Sequence, residues 1–414
     1  MEKTVFLIIL IIVVVDFAVE RFLDYLNSSR VSAELPGRMK GYWDETKYAK
    51  SQRYKRVNDR FGLLASTLSF VAIVGMLWFE GFAWLDDFWR QYTSNEILLA
   101  LLFFGSLGLA ADILSTPFSW YSTFVIEEKF GFNKMDFKTF VLDKLKGWLL
   151  GIILGGGILA LLVWIYHATG DYFWLIAWVV VSVFSVFMTM FYSTLIVPLF
   201  NKQTPLEDGP LRDEIEGFAR SVGFKLDNIF VIDGSKRSAK SNAYFSGLGP
   251  KKRIVLFDTL IENHSKEELV AVLAHEIGHY KKKHTLANVV LSVVQTGILL
   301  YVLSLVIDNP LFSGALGAEQ NSFHIGLVAF ALLFAPVNFV LGLFMNMLSR
   351  KFEYQADEYA GRHYSASALQ TALKKLSADN LSNLYPHPAY VFVYYSHPPI
   401  LTRLEFLDNV KKMS

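Results

Sequence analysis

The sequence predicts a mainly α-helical, polytopic membrane protein with seven transmembrane helices and a small cytoplasmic α+β domain. Three observations predict this fold class. Of 414 residues, 53% are hydrophobic and only 19% are charged, whereas a soluble domain carries about 25% charged residues. Seven apolar stretches are long enough to cross a bilayer, which takes about 20 residues of helix. One polar segment, residues 200–284, is too long for a simple loop and has the size of a small domain.

The charge balance and the residue content exclude several functional classes. Lys and Arg number 39 against 38 Asp and Glu, so the net charge is +1 and the chain lacks the basic excess of a nucleic-acid-binding module. The charged fraction is too low for a disordered chain or an ordinary cytosolic enzyme. The chain has no cysteine, which excludes disulfides, cysteine-ligated zinc and thiol nucleophiles.

The predicted spans account for nearly two fifths of the chain. They occupy residues 4–20, 62–85, 97–116, 147–167, 172–199, 285–307 and 324–348. The first could be a signal peptide. No small-residue cleavage site follows it, however, and the chain continues into Glu20 and Arg21, so we predict a retained helix.

The loops between the spans predict the orientation. Basic loops alternate with loops that hold almost no Lys or Arg; residues 168–171 and 308–323, for example, hold none. Because basic loops stay in the cytoplasm, the N-terminus is expected outside. The four basic segments, 21–60, 117–146, 200–284 and 349–414, are expected inside.

The segment 200–284 has the pattern of a small α+β unit. Apolar runs suited to strands alternate with helical periodicity. The pattern predicts a helix over 213–224, strands over 228–233 and 253–258, a possible third strand within 241–250 and a helix over 265–284. Ser265 and Glu268 have the spacing of a capping box at the start of the last helix.

That last helix carries the motif His275-Glu276-Ile277-Gly278-His279. Histidines four residues apart lie on one helical face and can hold a single metal ion, while the glutamate between them can take a proton from water. We therefore predict His275 and His279 as ligands of one zinc ion per chain and Glu276 as the catalytic base. Gly278, in mid-helix, is expected to allow close approach to the metal or to another backbone.

A catalytic zinc ion needs a third protein ligand. The sixth and seventh spans form a hairpin, so residues just after 348 return to the face that carries His279. Glu353 is our candidate for the third ligand, and Asp357, one turn further, for the carboxylate that bonds a ligand histidine's free N–H. Glu358 and Asp258 are weaker alternatives for the ligand. His264, His284 and His363 lie in polar stretches, and we expect them to be solvated.

The chain resembles the type I CAAX prenyl proteases, integral-membrane zinc metalloproteases that remove the last three residues of prenylated proteins. The resemblance runs nearly from end to end. It rests on PFSWYSTFVIEEKFGFNK (117–134), PLFNKQTPL (198–206), DGSKRSAKSNAYFSG (233–247), IVLFDTL (254–260), HEIGH (275–279), SRKFEYQADEYA (349–360) and SHPPILTRL (396–404). It implies a ring of seven helices around a large intramembrane chamber, with the zinc metalloprotease domain at its cytoplasmic end.

The resemblance also implies roles for individual residues. His275, His279 and Glu353 match the family's zinc ligands and Glu276 its base. Asn242, Ala243 and Tyr244 match the segment that pairs with the substrate backbone. His397 and Arg403 match the family's C-terminal pair, which could stabilise the oxyanion or hold the substrate carboxylate. Lys240 stands where many family members carry histidine, so no role is carried over to it.

These inferences divide the chain into four parts. Residues 1–199 hold transmembrane helices 1–5, 200–284 the catalytic segment with the HEIGH helix, 285–348 transmembrane helices 6 and 7, and 349–414 the catalytic segment with the third ligand. The expected function is zinc-dependent cleavage of prenylated CAAX-type substrates. The expected partners are a peptide or protein substrate and the lipid bilayer, with no nucleic acid.

Two other functions remain open. One is a general quality-control metalloprotease for membrane proteins, and the other is a seven-span transporter or scaffold with structural zinc. The lack of cysteines and of an ER-retention tail favours a bacterial plasma membrane; in a eukaryote we expect the ER membrane.

Overall fold

The computed structural model describes residues 1–30, 34–224, 229–247 and 252–413, and the protein is mainly helical. In chain order the helices are α1 (Glu2–Ser29), α2 (Glu45–Trp78), α3 (Gly81–Arg90), α4 (Glu96–Tyr121), α5 (Glu128–Phe130), α6 (Phe137–Leu150), α7 (Gly157–Thr169), α8 (Phe173–Leu195), α9 (Val197–Phe200), α10 (Pro210–Ser221), α11 (Asp258–Asn263), α12 (Lys266–Lys281), α13 (His284–Val306), α14 (Pro310–Ala315), α15 (Phe323–Ala360), α16 (Ala366–Asp379), α17 (Pro388–Tyr394) and α18 (Ile400–Met413). Short π-helical segments continue several of them, at Ser122–Glu127, Gly151–Gly156 and Gly361–Ser365.

Helical stretches long and apolar enough to cross a membrane number five among the described residues. They are Glu45–Trp78, Glu96–Phe130, Phe137–Phe200, His284–Val306 and Phe323–Asp379. An integral membrane protein is therefore supported by length and composition.

The difference from the seven predicted spans has two physical causes. The predicted spans 147–167 and 172–199 fall within one helical stretch, Phe137–Phe200. A 3₁₀ turn at Gly170–Tyr172 interrupts that stretch, Gly170 has a left-handed φ of 50°, and α7 and α8 pack against each other. Helix α1 carries the predicted first span, but Asp16 and the charges at its ends interrupt the apolar run. Seven spans remain a prediction.

The small sheet has four strands: β1 (Gln203–Pro205), β2 (Ile229–Ile232), β3 (Ala243–Ser246) and β4 (Arg253–Phe257). Their order is β1-β2-β4-β3, with β2 and β4 parallel and the other two pairs antiparallel. Strands β2, β3 and β4 confirm the predicted strands, although Asn228 and residues 248–250 of the predicted ranges lie outside the described residues. Strand β1 was not predicted, because three residues are too short for an alternating pattern.

The predicted helix that carries the HEIGH motif is confirmed as α12. Ser265 accepts a hydrogen bond from the backbone N–H of Glu268, and the Glu268 carboxylate accepts one from the N–H of Ser265, which completes the capping box. One hydrophobic core joins the sheet, α10 and α12 to the C-terminal helices, from Leu206 to Leu407. The two predicted catalytic segments thus share a single core, and this fixes α12 against α15.

Candidate metal centre

The two histidines of the HEIGH motif face each other on α12. Their Nε2 atoms lie 3.1 Å apart, as expected for residues one helical turn apart on the same face. His275 is buried, with 7% of its surface exposed. Two imidazole nitrogens at this distance repel each other unless a proton or a metal ion lies between them, because each lone pair points at the other.

Glu353 reaches the histidines from α15. One carboxylate oxygen lies 3.3 Å from Nε2 of His279 and the other lies 3.5 Å from Nε2 of His275. The close packing of α12 on α15 allows this contact. A Cβ added to Gly278 would lie 3.1 Å from the Cα of Ala356 and 3.2 Å from its carbonyl oxygen. Of the two reasons considered for Gly278, the structure therefore supports close approach to another backbone.

The three side chains fit a metal ion. One nitrogen of each histidine and one oxygen of Glu353 lie within 4.8 Å of one another. Glu353 is 4% exposed, and its Oε2 atom is buried without a hydrogen-bond partner. A buried carboxylate oxygen that faces two imidazole nitrogens is a donor set that zinc favours. The weaker candidates Glu358 and Asp258 are not part of this group; Asp258 instead accepts hydrogen bonds from Ser235.

A buried ion pair lies behind His275. Nδ1 of His275 lies 2.9 Å from Oδ1 of Asp357, which is fully buried. Both Asp357 oxygens accept hydrogen bonds from Arg403 of α18, at 2.9 and 2.6 Å. Burial lowers the pKa of His275, but Asp357 and Glu353 outweigh burial and raise the pKa to about 9. The surroundings of this imidazole therefore favour positive charge.

His284 lies behind His279, and the prediction that His284 is solvated was wrong. Its side chain is 3% exposed, its Nδ1 lies 3.0 Å from Nδ1 of His279, and its Nε2 lies 2.8 Å from Oε1 of Gln355. The ring also stacks on Phe352, with centroids 4.1 Å apart. The sequence feature that could have identified His284 is its position: it is a third histidine, five residues after His279. Its burial depends on Lys283, whose left-handed φ of 61° turns the chain into α13.

The other two histidines expected to be solvated differ from each other. His264 is buried at 8% exposure and its ring lies 3.1 Å from the carbonyl oxygen of Leu260, so that expectation was also wrong. His363 is exposed, as expected.

A cavity of about 500 Å³ opens beside the three candidate ligands. Its wall includes every residue to which the family resemblance gave a substrate or catalytic role: Glu276, His397, Arg403 and the segment Asn242–Tyr244. Burial raises the pKa of Glu276, which makes this carboxylate a stronger proton acceptor. Nε2 of His397 lies 3.2 Å from Oε1 of Glu353, and its side chain is 64% exposed.

Strand β3 lies at the edge of the sheet, next to this cavity. It pairs with β4 from Ala243 opposite Leu256 to Ser246 opposite Arg253, and within the described residues it has no strand on its other side. An edge strand exposes backbone N–H and C=O groups that can pair with an extended peptide.

Lys240 connects the start of this edge strand to the helical bundle. Its ammonium group lies 3.0 Å from Glu127 and donates a hydrogen bond of 2.9 Å to the Tyr54 hydroxyl, which itself donates to Glu127. The same ammonium lies 4.5 Å from the centre of the Phe132 ring. The lysine thus links the loop before Asn242 to α2 and to the π-helical end of α4.

Comparisons with known proteins agree over nearly the whole chain. Residues 24–202 match the family described as CAAX prenyl protease N-terminal, five membrane helices, and residues 205–411 match peptidase family M48. A CAAX prenyl protease 1 homolog of Arabidopsis thaliana is 36% identical over 96% of both chains. CAAX prenyl protease 1 of Saccharomyces cerevisiae is 35% identical over 96% of this chain and 94% of its own. The crystal structure of S. mikatae Ste24p superposes with a TM-score of 0.93 at 34% identity and covers 98% of this chain and 99% of that one.

Proposed function

The chain belongs to the CAAX prenyl protease group of peptidase family M48, and from this premise we propose that it removes the C-terminal tripeptide of prenylated CAAX-type substrates with the help of zinc. It is an integral membrane metalloendopeptidase. The observation that carries the proposal is the open edge of β3 beside the His275, His279 and Glu353 side chains, in one cavity.

Zinc is the metal that suits this donor set. Two imidazole nitrogens and one carboxylate leave a fourth position open for water or substrate, as in catalytic zinc sites. Bound there, the ion would polarise the scissile carbonyl and acidify water. His275, His279 and Glu353 would hold it.

The chain's own residues would orient the peptide and move the proton. An extended substrate pairs with Asn242–Tyr244 as a further strand of the sheet, which brings its scissile bond past the HEIGH helix. Glu276 takes the proton of the attacking water and passes it to the leaving amine. His397, at the rim of the cavity, donates a hydrogen bond to the oxyanion that forms on the scissile carbonyl. Arg403, in the wall of the same cavity, would act mainly through its ion pair with Asp357, which holds His275 in place.

The membrane setting accounts for the choice of substrate. We propose seven spans around an intramembrane chamber, an external N-terminus, and catalysis at the cytoplasmic face by residues 200–284 and 349–414. Residues 1–199 and 285–348 would supply the spans. A bacterial plasma membrane is our proposed location, with the ER membrane as the eukaryotic counterpart. A prenylated C-terminus reaches such a site because each buried CH₂ of its lipid contributes about 0.8 kcal/mol to membrane binding.

The first experiment separates ligands from base. We expect Glu276→Gln to keep zinc at full occupancy and to lose cleavage, because an amide accepts no proton from water. We expect His279→Ala and Glu353→Ala to lose zinc as well. Elemental analysis and peptide cleavage, measured on the same purified variants, test this. Full zinc occupancy in Glu353→Ala would show that a residue other than Glu353 is the third ligand.

The second experiment tests the substrate class. In one detergent, kcat/KM for a farnesylated CAAX peptide is expected to exceed that for the same peptide without the lipid, because the lipid adds binding energy. Equal values for the two peptides would favour the general quality-control protease over the prenyl-selective one. Membership of a peptidase family argues against the transporter or scaffold with structural zinc.

A further inference from the structure

Five cations surround a cavity of about 450 Å³ beside α2, away from the metal centre. They are Lys50, Arg53, Arg56, Arg60 and Lys129. Val57 and Phe130 complete the lining. The spacing of the four α2 cations places them within about 120° around the helix axis, so they form one face. Arg53, Arg56, Arg60 and Lys129 are exposed.

These cations differ from neighbouring cations on α2, which form ion pairs. Lys47 on the same helix pairs with Asp379 at 3.3 Å, and Lys55 pairs with Asp59. Across the described residues, the five cations of the cavity form no ion pair with a carboxylate. The positive-inside rule explains why this loop is basic. It applies equally to Lys47 and Lys55, which have acidic partners, so it does not explain why the five cations of the cavity form no ion pairs.

Arg53 and Arg56 also line an adjoining cavity that contains Glu34, Asp44 and Glu45, so Lys50, Arg60 and Lys129 are the cations furthest from compensation. A concave group of like charges that form no ion pairs is the usual form of an anion-binding site.

The position of the cations along α2 limits the size of the anion. With a rise of about 1.5 Å per residue, Arg60 lies about 3 Å and Lys50 about 18 Å outside the apolar segment that begins at residue 62. The polar headgroup layer of a bilayer is only about 5–8 Å deep on each side. A ligand that meets the whole row must therefore carry negative charge at the lipid phosphate and again further out.

We propose that this cavity binds the headgroup of a polyanionic phospholipid, a phosphorylated inositol lipid in its chemical class. Arg56 and Arg60 would hold the phosphodiester nearest the membrane, and Arg53, Lys50 and Lys129 the phosphates on the sugar ring. Guanidinium groups match phosphate oxygens with two parallel hydrogen bonds. Val57 and Phe130 provide an apolar floor for the ring. The volume fits a headgroup and is too small for a folded protein segment. The proposal does not depend on the proposed peptidase reaction, but it rests on the proposed cytoplasmic placement of residues 21–60 and on the ER location, because bacterial plasma membranes generally lack phosphorylated inositol lipids.

Binding of water-soluble dioctanoyl phosphatidylinositol bisphosphate to the full-length protein in detergent tests the proposal. The test variant is Arg56→Gln with Arg60→Gln, and the control is Lys411→Gln with Lys412→Gln, which removes two exposed cations at the other end of the chain. A cation near a charged lipid contributes about 1 kcal/mol, or about fivefold in affinity. We expect the test variant to bind about thirtyfold more weakly and the control to bind within twofold of the parent.

Titrations with other phosphate compounds distinguish a lipid headgroup from a soluble phosphate as the ligand. Inositol trisphosphate, dioctanoyl phosphatidylserine and inorganic phosphate are titrated in the same buffer, and all are expected to bind at least tenfold more weakly than the bisphosphorylated lipid. Arg53→Gln with Lys129→Gln provides a second test pair if the first folds poorly. Equal loss in the control, or binding of inositol trisphosphate, phosphatidylserine or inorganic phosphate as tight as that of the bisphosphorylated lipid, would each overturn the proposal.

Discussion

The two histidines of the HEIGH motif are held by different kinds of chemistry. Behind His275 lies a buried ion pair, Asp357 with Arg403, whose arginine comes from the last helix of the chain. Behind His279 lies a neutral pair, His284 with Gln355, whose histidine follows only five residues later. One candidate ligand is thus oriented by charge from a distant segment and the other by local hydrogen bonding.

This difference sets the charge of the centre. Arg403 donates two hydrogen bonds to Asp357, and its Nη1 also lies 3.5 Å from Oε2 of Glu353, so its charge offsets part of the negative charge of both carboxylates. Without Arg403, the added negative charge would weaken a bound ion as a Lewis acid. A neutral support behind His279 adds orientation without adding charge. The comparison therefore predicts large effects on stability and metal affinity behind His275 and smaller effects behind His279.

The largest effect is expected for Arg403→Leu. The substitution leaves the Asp357 carboxylate buried and without its partner, which typically costs about 3–5 kcal/mol of stability. Thermal or denaturant unfolding in a fixed detergent measures the loss. Arg403→Leu made in an Asp357→Asn background is the control, because no Asp357 carboxylate is then left without its partner, whereas the 3.5 Å contact of Arg403 with Glu353 is lost in both backgrounds. The loss there should be clearly smaller, and equal losses in the two backgrounds would contradict the ion-pair account.

The next effect concerns metal affinity in Asp357→Asn. The amide keeps the shape of the side chain but removes the charge that holds His275. Removing such an outer partner typically weakens metal binding about 10–100-fold. Competition with a zinc-binding dye measures the change. Glu358→Gln, one residue further on the same helix, is the matched control and should bind zinc like the parent. Unchanged affinity in Asp357→Asn would remove the distinction between the two histidines.

The sequence predicts the carboxylate behind His275 but misses the histidine behind His279. Asp357 was predicted because its place, one turn beyond Glu353, follows from helical spacing and from the hairpin of the last two spans. Arg403 was identified by family resemblance, but its contact with Asp357 depends on how α18 packs against α15. His284 was missed because polarity suggested exposure. Its burial results from the turn at Lys283 and from the approach of Gln355, 71 residues away.

The elements of the fold also fall into those that the sequence predicts and those that it does not. Strong local signals, such as the capping box at Ser265 and the apolar runs of β2 and β4, predicted elements that the structure contains. The three-residue strand β1 and the contact between Gly278 and Ala356 carry no local signal, because long-range packing determines both. The number of spans also depends on packing, since a turn at Gly170 divides a helical stretch whose composition is apolar throughout.

The smallest effect is expected behind His279, in His284→Phe. The phenyl ring can keep the stacking on Phe352 but offers no acceptor to Nδ1 of His279. A neutral hydrogen bond contributes about 1 kcal/mol, so zinc affinity should fall about fivefold, less than in Asp357→Asn. Gln355→Leu acts one bond further away and should change the affinity by less than that. The same dye competition, run on all three variants, gives the order Asp357→Asn, His284→Phe, Gln355→Leu. If His284→Phe lost more affinity than Asp357→Asn, the neutral pair would be the main support of the centre, and the charged pair behind His275 would serve the stability of the fold.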